Sequence, residues 1–428
     1  MLSISFLKEQ IKENKFVKTE LAFFIALMIF HFIPGINQLI VDRLISGLES
    51  NILNIAGQIE WFDLINETLL AFLIVPLYFL FNEVSDNKNE FKKRINQTFC
   101  IGFLIYFIVS VFVYFYAHSF TAYMNAPAES ILYLQMETIG FIIGFISSFM
   151  YVVFVVRGNW KYIISLMVAR VAMLSVGNFI LIPEYGVMGL ATTNILCNLI
   201  LSIVSFVLLY KDDLFQWKLI FEKKAGFDWV KVGMFSGLQI FLDNAIYALI
   251  VVRMVNEVSS AGIYWLANNF IWGWLLIPII ALAEVVKRDY LRGYKRIHHY
   301  LFIVGCIVFL WILSVPLWPT MFEHVIHAQN PTAILNVLYI LVPFYIAYSI
   351  ATVFDSVFVS VGKTKYLFAI SVVVNIIYYG IVYTLFLNGW FTASLHFIIF
   401  MFGIGMIVHL ILSIFFFFYS KNGKKMIG

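Results

Sequence analysis

Three carboxylates, Glu60, Asp63 and Glu67, stand in an otherwise apolar stretch. At about 100° per residue they fall within roughly 60° of one another on a helix, and at 1.5 Å rise they form a stripe about 10 Å long. Acids placed this way can bind a proton or a metal cation, or attract an organic cation. Ion pairs with Arg43 or Arg170 are the competing use. Asp42 follows the apolar run Leu39-Ile-Val41, and its own carboxylate suits a proton or cation. Asn178 offers a neutral oxygen that could complete a sodium site with Asp42, or a plain helix–helix hydrogen bond. Asp243 is a third candidate for coupling, with Gln239 one turn earlier and Asn244 beside it. Burial raises a carboxylate's proton affinity and a nearby cation lowers it, so such groups can exchange one for the other.

Other charged and polar residues read differently. Glu137 and Arg170 are both deep in apolar runs and are expected to pair. Asp355 and Glu284 fall near span ends, where interfacial solvation is expected. His31 and His409 are expected to be packed or hydrogen-bonded rather than functional. Asn268, Asn269 and Trp272, with Trp265, Phe270 and Trp274, could orient and stack an organic cation, as could Gln239 and Asn244. No P-loop, no GxSxG and no catalytic residue set is present. The expectation is therefore no enzyme and no cofactor beyond a coupling ion, H+ or Na+.

These acids are informative because of the elements that hold them. Of 428 residues, 62% are hydrophobic and 12% charged, against about 25% charged in soluble domains. Too few polar residues exist to cover a soluble core, which excludes soluble enzymes and nucleic-acid binders. Spanning helices need about 20 apolar residues. Twelve segments qualify: 21–46, 53–82, 98–118, 129–156, 160–182, 186–210, 230–256, 260–286, 300–321, 332–360, 364–387 and 393–419. Turn residues separate neighbours at Arg157-Gly158-Asn159, Pro183-Glu184-Tyr185-Gly186 and Asn388-Gly389.

The basic residues give the orientation. Beyond the first two residues of a span, only Arg43, Arg170 and Arg253 fall in or at the outer part of spans. All other Lys and Arg follow even-numbered spans or flank the ends of the chain, as with Lys92, Lys93 and Arg94, Lys223 and Lys224, and Lys424 and Lys425. The positive-inside rule puts both termini in the cytoplasm and the chain in the plasma (inner) membrane. The first twenty residues mix Lys and Glu without an early apolar core, which reads as an amphipathic lead-in and not a signal peptide. Cys100, Cys197 and Cys306 all fall in apolar runs and are expected as free thiols.

The chain also repeats itself. Phe154-Val-Val-Arg-Gly-Asn-Trp-Lys-Tyr162 matches Phe358-Val-Ser-Val-Gly-Lys-Thr-Lys-Tyr366, and Leu39-Ile-Val-Asp-Arg43 matches Leu249-Ile-Val-Val-Arg253. Six-plus-six duplication in like orientation predicts two lobes about an axis along the membrane normal. The expected parts are a lead-in 1–20, an N-lobe 21–210, a cytoplasmic loop 211–229, a C-lobe 230–419 and a tail 420–428. Asp42 matches Val252, so the acid breaks the symmetry.

Four segments resemble the multidrug and toxic compound extrusion (MATE) family, in the superfamily that includes lipid-linked oligosaccharide flippases. They are Val41-Asp42, Arg157-Gly158, Asn178 to Pro183 followed by Gly186-Val-Met-Gly189-Leu-Ala-Thr-Thr193, and Gly233 with Asp243 ten residues on. The twelve-span plan covers nearly the whole chain. The resemblance implies an all-α membrane protein of two six-helix lobes that exports by antiport, with NorM/DinF-like members as the nearest type. Ile182 stands where many members carry an acid on the fifth helix, so part of the N-lobe cation site is missing. Asp355 lies closer to Gly362 than the family's acid does to its glycine.

The function expected is alternating-access export of an amphipathic, cationic small molecule against H+ or Na+. The partners are that substrate and membrane lipids, with no nucleic acid and a monomeric chain. A lipid-linked sugar flippase on the same fold is the first alternative. A polytopic transferase using His298-His299, His324 or His327 is the second.

Overall fold

The computed structural model describes residues 19–422 except 49, 83, 85–86, 158, 216–228, 230–236, 292–296 and 362. Most of the expected lead-in and inter-lobe loop, the start of the seventh span and the end of the tail therefore lie outside the described residues. The described chain is helical throughout its regular structure. Eleven helices are long and apolar enough to cross a membrane, and a bent pair makes a twelfth. In chain order they are α1 Leu27–Ser46, α2 Asn51–Tyr78, α3 Lys88–Phe115, α4 Ser130–Val156, α5 Lys161–Tyr185 and α6 Val187–Lys211. The second six are α7 Gly237–Glu257, α8 Ala261–Leu275 with Ile277–Lys287, α9 Ile297–Val325, α10 Pro331–Ser360, α11 Thr364–Leu387 and α12 Leu395–Ser420. The protein is a multi-pass membrane protein.

Local chemistry sets the ends. Asn87 accepts from the backbone N–H of Asn89 and Glu90 at the start of α3. Asn330 does the same for Ala333 ahead of α10, with Pro331 in the first turn. Gly186, at φ +56, turns the chain from α5 into α6, a conformation that a side chain would strain. α5 runs through Pro183 to Tyr185, slightly past the expected break. Asp213, just beyond α6, is held by Lys92 and by Lys88 at 3.5 Å. The Lys92 ammonium keeps that carboxyl below the usual carboxylate range.

α8 departs from a straight span. It bends by 49° between its two parts. Pro278 cannot donate a backbone hydrogen bond and crowds the carbonyl four residues before it. The preceding turn, Ile271–Leu275, loosens into a π-helix, with Leu276 N–H bonded to the Ile271 carbonyl.

Packing repeats in the two halves. α4 packs on α3 and α6, and α10 packs on α9 and α12. α5 lies along α6, and α11 along α12. This is the arrangement that the duplicated segments lead one to expect. Between the halves, α1 packs on α8, and α2 on both α7 and α8.

The end away from the basic loops is packed shut. Gln58 and Asn256 exchange side-chain hydrogen bonds at 3.0 and 2.9 Å, and Asn256 also donates to the Met124 carbonyl at 2.8 Å. Asn54 Oδ1 accepts from Gly262 N–H at 3.0 Å, and Ser46 Oγ donates to the Ile326 carbonyl at 2.6 Å. Such a close approach needs small residues. A Cβ on Gly57 would lie 2.9 Å from the Ala261 carbonyl oxygen, and one on Gly262 would lie 2.9 Å from the Leu53 carbonyl carbon. Gly305 has open space around it. Gly57→Ala should therefore destabilise the detergent-solubilised protein by about 1–3 kcal/mol, seen as a lower thermal midpoint. Gly305→Ala should leave the midpoint unchanged.

Candidate functional site

A cavity of about 660 Å³ lies between the halves. On the N-terminal side it is lined by Asn37 and Gln38 of α1, Asp63 and Glu67 of α2, Tyr133 of α4 and Asn194 of α6. On the other side stand Asp243, Asn244 and Tyr247 of α7, Asn268, Asn269 and Trp272 of α8, and Tyr345 and Tyr348 of α10. Asn375 and Tyr379 of α11, with Phe402 and His409 of α12, complete that side. Among the described lining residues there is no Lys and no Arg.

The acidic stripe on α2 faces this space. Asp63 and Glu67 both line it, and Glu67 accepts from Asn244 Nδ2 at 3.5 Å. Asn244 also donates to the Leu64 carbonyl and to Thr68, tying α7 to α2. The side chain of Glu60 lies outside the described residues.

Asp42 is buried at 3% exposure, beside the cavity rather than on its wall. Its Oδ1 accepts from Gln38 Nε2 and from Asn269 Nδ2, each at 2.9 Å. The second of these bonds joins α1 to α8 across the two halves. Asn178 is fully buried on α5 and donates to Asn37 Oδ1 at 3.3 Å, while its own Oδ1 has no hydrogen-bond partner. That orphaned oxygen could serve a cation. At Asp42, however, the described neighbours are amide N–H donors, which already satisfy a carboxylate. No group of three or more His, Cys, Asp or Glu among the described residues could hold a metal ion.

Asp243 takes Ser371 Oγ at 2.5 Å and Asn375 Nδ2 at 2.6 Å, both on Oδ1. Close by are Asp355 and His409, near enough to act electrostatically on it. His409 Nε2 lies 2.8 Å from Asp355 Oδ2, and Ser413 Oγ donates to Asp355 Oδ1 at 2.8 Å. This corrects the sequence expectation for Asp355, which is not simply solvated at an interface, while His409 is hydrogen-bonded, as expected. α10 and α12 are packed together, so residues far apart in the sequence meet on one wall. Glu284, in contrast, pairs with Lys287 on the same helix, as a residue at a span end should.

Two further expectations change. Glu137 and Arg170 do not pair: Glu137 is buried and accepts from Asn194 Nδ2 at 3.1 Å, because α4 packs on α6, while Arg170 is exposed. Gln239 is half-buried and is not among the cavity residues, although it stands one turn before Asp243 on α7. Asn268 does line the cavity, but its amide is engaged by Tyr247 and Tyr345.

The C-terminal wall is aromatic. Trp272 packs against Tyr348 at 5.7 Å between ring centres, and Tyr247 packs against Phe402 at 5.2 Å. Tyr345 contacts Trp272, Tyr348 and Phe402. Trp272 was expected at the cavity. The tyrosines and His409 were not, because tyrosine is spread along most of the chain and nothing local distinguishes these.

The third intramembrane arginine is used elsewhere. Arg253 lies 4.4 Å over the Tyr123 ring and donates to the Tyr383 hydroxyl, near the closed end. The buried acid Glu137 gives a test of how such groups are tolerated. Asn194→Leu should strip its donor and destabilise the protein by about 1–3 kcal/mol. Adding Glu137→Leu should recover most of that loss, as measured by thermal unfolding in detergent.

No protein-family profile matches the sequence, and no curated protein does. Solved structures do. An inward-facing MATE family transporter of the MOP superfamily aligns at TM-score 0.73 and 15% identity, over 90% of this chain and 93% of that one. A MOP superfamily transporter from Pyrococcus furiosus, described as having a binding pocket of reversed polarity, aligns at 0.69 and 14%, over 94% and 95%. The lipid II flippase MurJ, in an inward closed conformation, aligns at 0.70 and 14%, over 92% and 86%. At such identity the likeness establishes the fold, and the chain is built as these transporters and flippases are: twelve membrane helices in two six-helix lobes.

Proposed function

We propose that the chain is a secondary active exporter of an amphipathic, cationic small molecule, exchanged for H+ or Na+ by alternating access. The observation that carries this reading is the composition of the cavity. Carboxylates face it from both halves, an aromatic wall lines one side, and no described lining residue is Lys or Arg. Aromatic faces and acids together attract an organic cation, and a space of about 660 Å³ is large enough for one.

Coupling needs a ligand that distinguishes the two states. Asp42 offers one route. As a carboxylate it accepts from Asn269 across the halves, and a hydrogen bond to an ionised group is about twice as strong as one between neutral groups. Binding a proton there weakens the link between α1 and α8. Substrate competing for Asp63, Glu67 or Asp243 biases the same equilibrium. With the basic loops in the cytoplasm, the closed end faces outward, and the arrangement is an inward-facing state in the plasma membrane.

The likeness to MurJ keeps one rival reading, a flippase for a lipid-linked sugar. It would need cations for phosphate. Arg43 and Arg170 are exposed, and Arg253 is held at Tyr123 and Tyr383. Efflux of ethidium from proteoliposomes under an imposed proton or sodium gradient separates the two. Asp243→Asn and Glu67→Gln should each slow efflux by about tenfold. Absence of ethidium efflux from the wild type under either gradient would sink the export reading, and undiminished efflux in the double variant would sink the role given to these two carboxylates. Translocation of a lipid-linked oligosaccharide without ethidium efflux would establish the rival.

A further inference from the structure

The wall formed by α7, α10, α11 and α12 holds a polar cluster that export of a cation does not by itself require. Its members are Asp243, Ser371 and Asn375 on one side, and Asp355, His409 and Ser413 on the other. His409 lies between the two carboxylates: it is hydrogen-bonded to Asp355 and within electrostatic reach of Asp243. The titratable groups around it are Asp243 from α7, Asp355 and Tyr348 from α10, and Tyr379 from α11. No described cavity-lining residue is Lys or Arg, so the imidazole is the single described side chain on that surface able to carry positive charge.

Resting on the export reading above, we propose that His409 is the proton-binding group of a coupling site in the C-terminal half, and that it makes this site select H+ over Na+. The bonding pattern supports this in three ways. Asp355 is already occupied on both oxygens, by Ser413 on Oδ1 and by the imidazole on Oδ2. The partners of Asp243, the Ser371 hydroxyl and the Asn375 amide nitrogen, both donate to the same carboxylate oxygen, an arrangement that satisfies the carboxylate without a metal. The free nitrogen of His409, Nδ1, has no hydrogen bond among the described residues, and His409 lines the cavity.

The proton balance is simple. The neutral ring carries its hydrogen on Nε2 and donates it to Asp355 Oδ2. A proton arriving through cavity water binds Nδ1, and the resulting imidazolium balances one of the two carboxylates. That internal cation takes the electrostatic place that a sodium ion would need. Releasing the proton to the other side returns the cluster to its more negative form, which then favours a cationic substrate. Imidazole is the side chain whose unperturbed titration falls in the physiological range.

The test needs no substrate. Trp272 meets Tyr348 edge-on, next to the cluster, so intrinsic fluorescence of the purified protein in detergent reports on it. The wild type should show a transition between about pH 5 and pH 8, unchanged when potassium in the buffer is replaced by sodium. In His409→Gln the transition should be lost, with the elution profile on gel filtration retained. In Asp355→Asn it should be displaced. A transition that persists unaltered in both variants, or one that sodium shifts in the wild type, would overturn the proposal. Ethidium efflux tested separately keeps the two readings apart. Failure of efflux with the titration intact removes the export reading alone, and an absent titration with efflux intact removes this one alone.

Discussion

A carboxylate placed among hydrocarbon is the constraint on which this structure turns. A charged side chain at the centre of a bilayer costs about 3 kcal/mol or more, so each acid within the spans must face water or find donors. Four of the described acids do so with amide and hydroxyl partners. Asp42 has Gln38 and Asn269, Glu137 has Asn194, Asp243 has Ser371 and Asn375, and Glu67 has Asn244. Asp355 has a serine and an imidazole. Amides and hydroxyls satisfy a carboxylate without cancelling its charge. An arginine would have satisfied the same oxygens and removed the field. The choice of neutral donors leaves the carboxylates of the cavity without a described Lys or Arg to offset them, in keeping with the proposed export of a cation.

The same polar groups join the halves. Asp42 to Asn269, Gln58 to Asn256, and Asn244 to Glu67 and Leu64 all cross between the N-terminal and C-terminal helices. Hydrogen bonds between membrane helices contribute about 0.6–2 kcal/mol each. A few of them favour one arrangement without fixing it. Rigid halves with a modest polar joint are the mechanical requirement for rocking.

How much of this was legible in the sequence depends on the range of the interaction. The twelve spans come from runs of apolar residues, and the direction of the α2 stripe comes from helical angle alone. Asp63 and Glu67 are therefore where spacing placed them. The turns at Gly186 and Gly389 were legible because glycine adopts a positive φ without a steric penalty. Partners distant in sequence were not. Glu137 had an apparent counter-ion in Arg170, yet α4 packs on α6 and presents the acid to Asn194. Asp355 and His409 meet only because α10 lies along α12. Neither residue announces the other, and a histidine in an apolar run gives no local sign of its use.

The internal repeat explains the scaffold and fails where the chemistry begins. Neighbour pairs recur in the two halves, but the described π-helical turns all fall in the second: Tyr247–Val252, Ile271–Leu275, Met321–Val325 and Val373–Tyr379. An extra residue in a turn rotates the downstream part of the helix by about 100° relative to an unbroken α-helix. Three of these turns bring Tyr247, Trp272, Asn375 and Tyr379 to the cavity wall. The first half has no described π-helical turn, and its acidic stripe lies within the unbroken stretch Ile59–Leu73, spaced by ordinary helical geometry. The second half breaks regularity to aim aromatic and hydrogen-bonding groups at the same space. Duplication thus accounts for two lobes of like packing, and the departures from it account for a cavity whose two walls differ in kind.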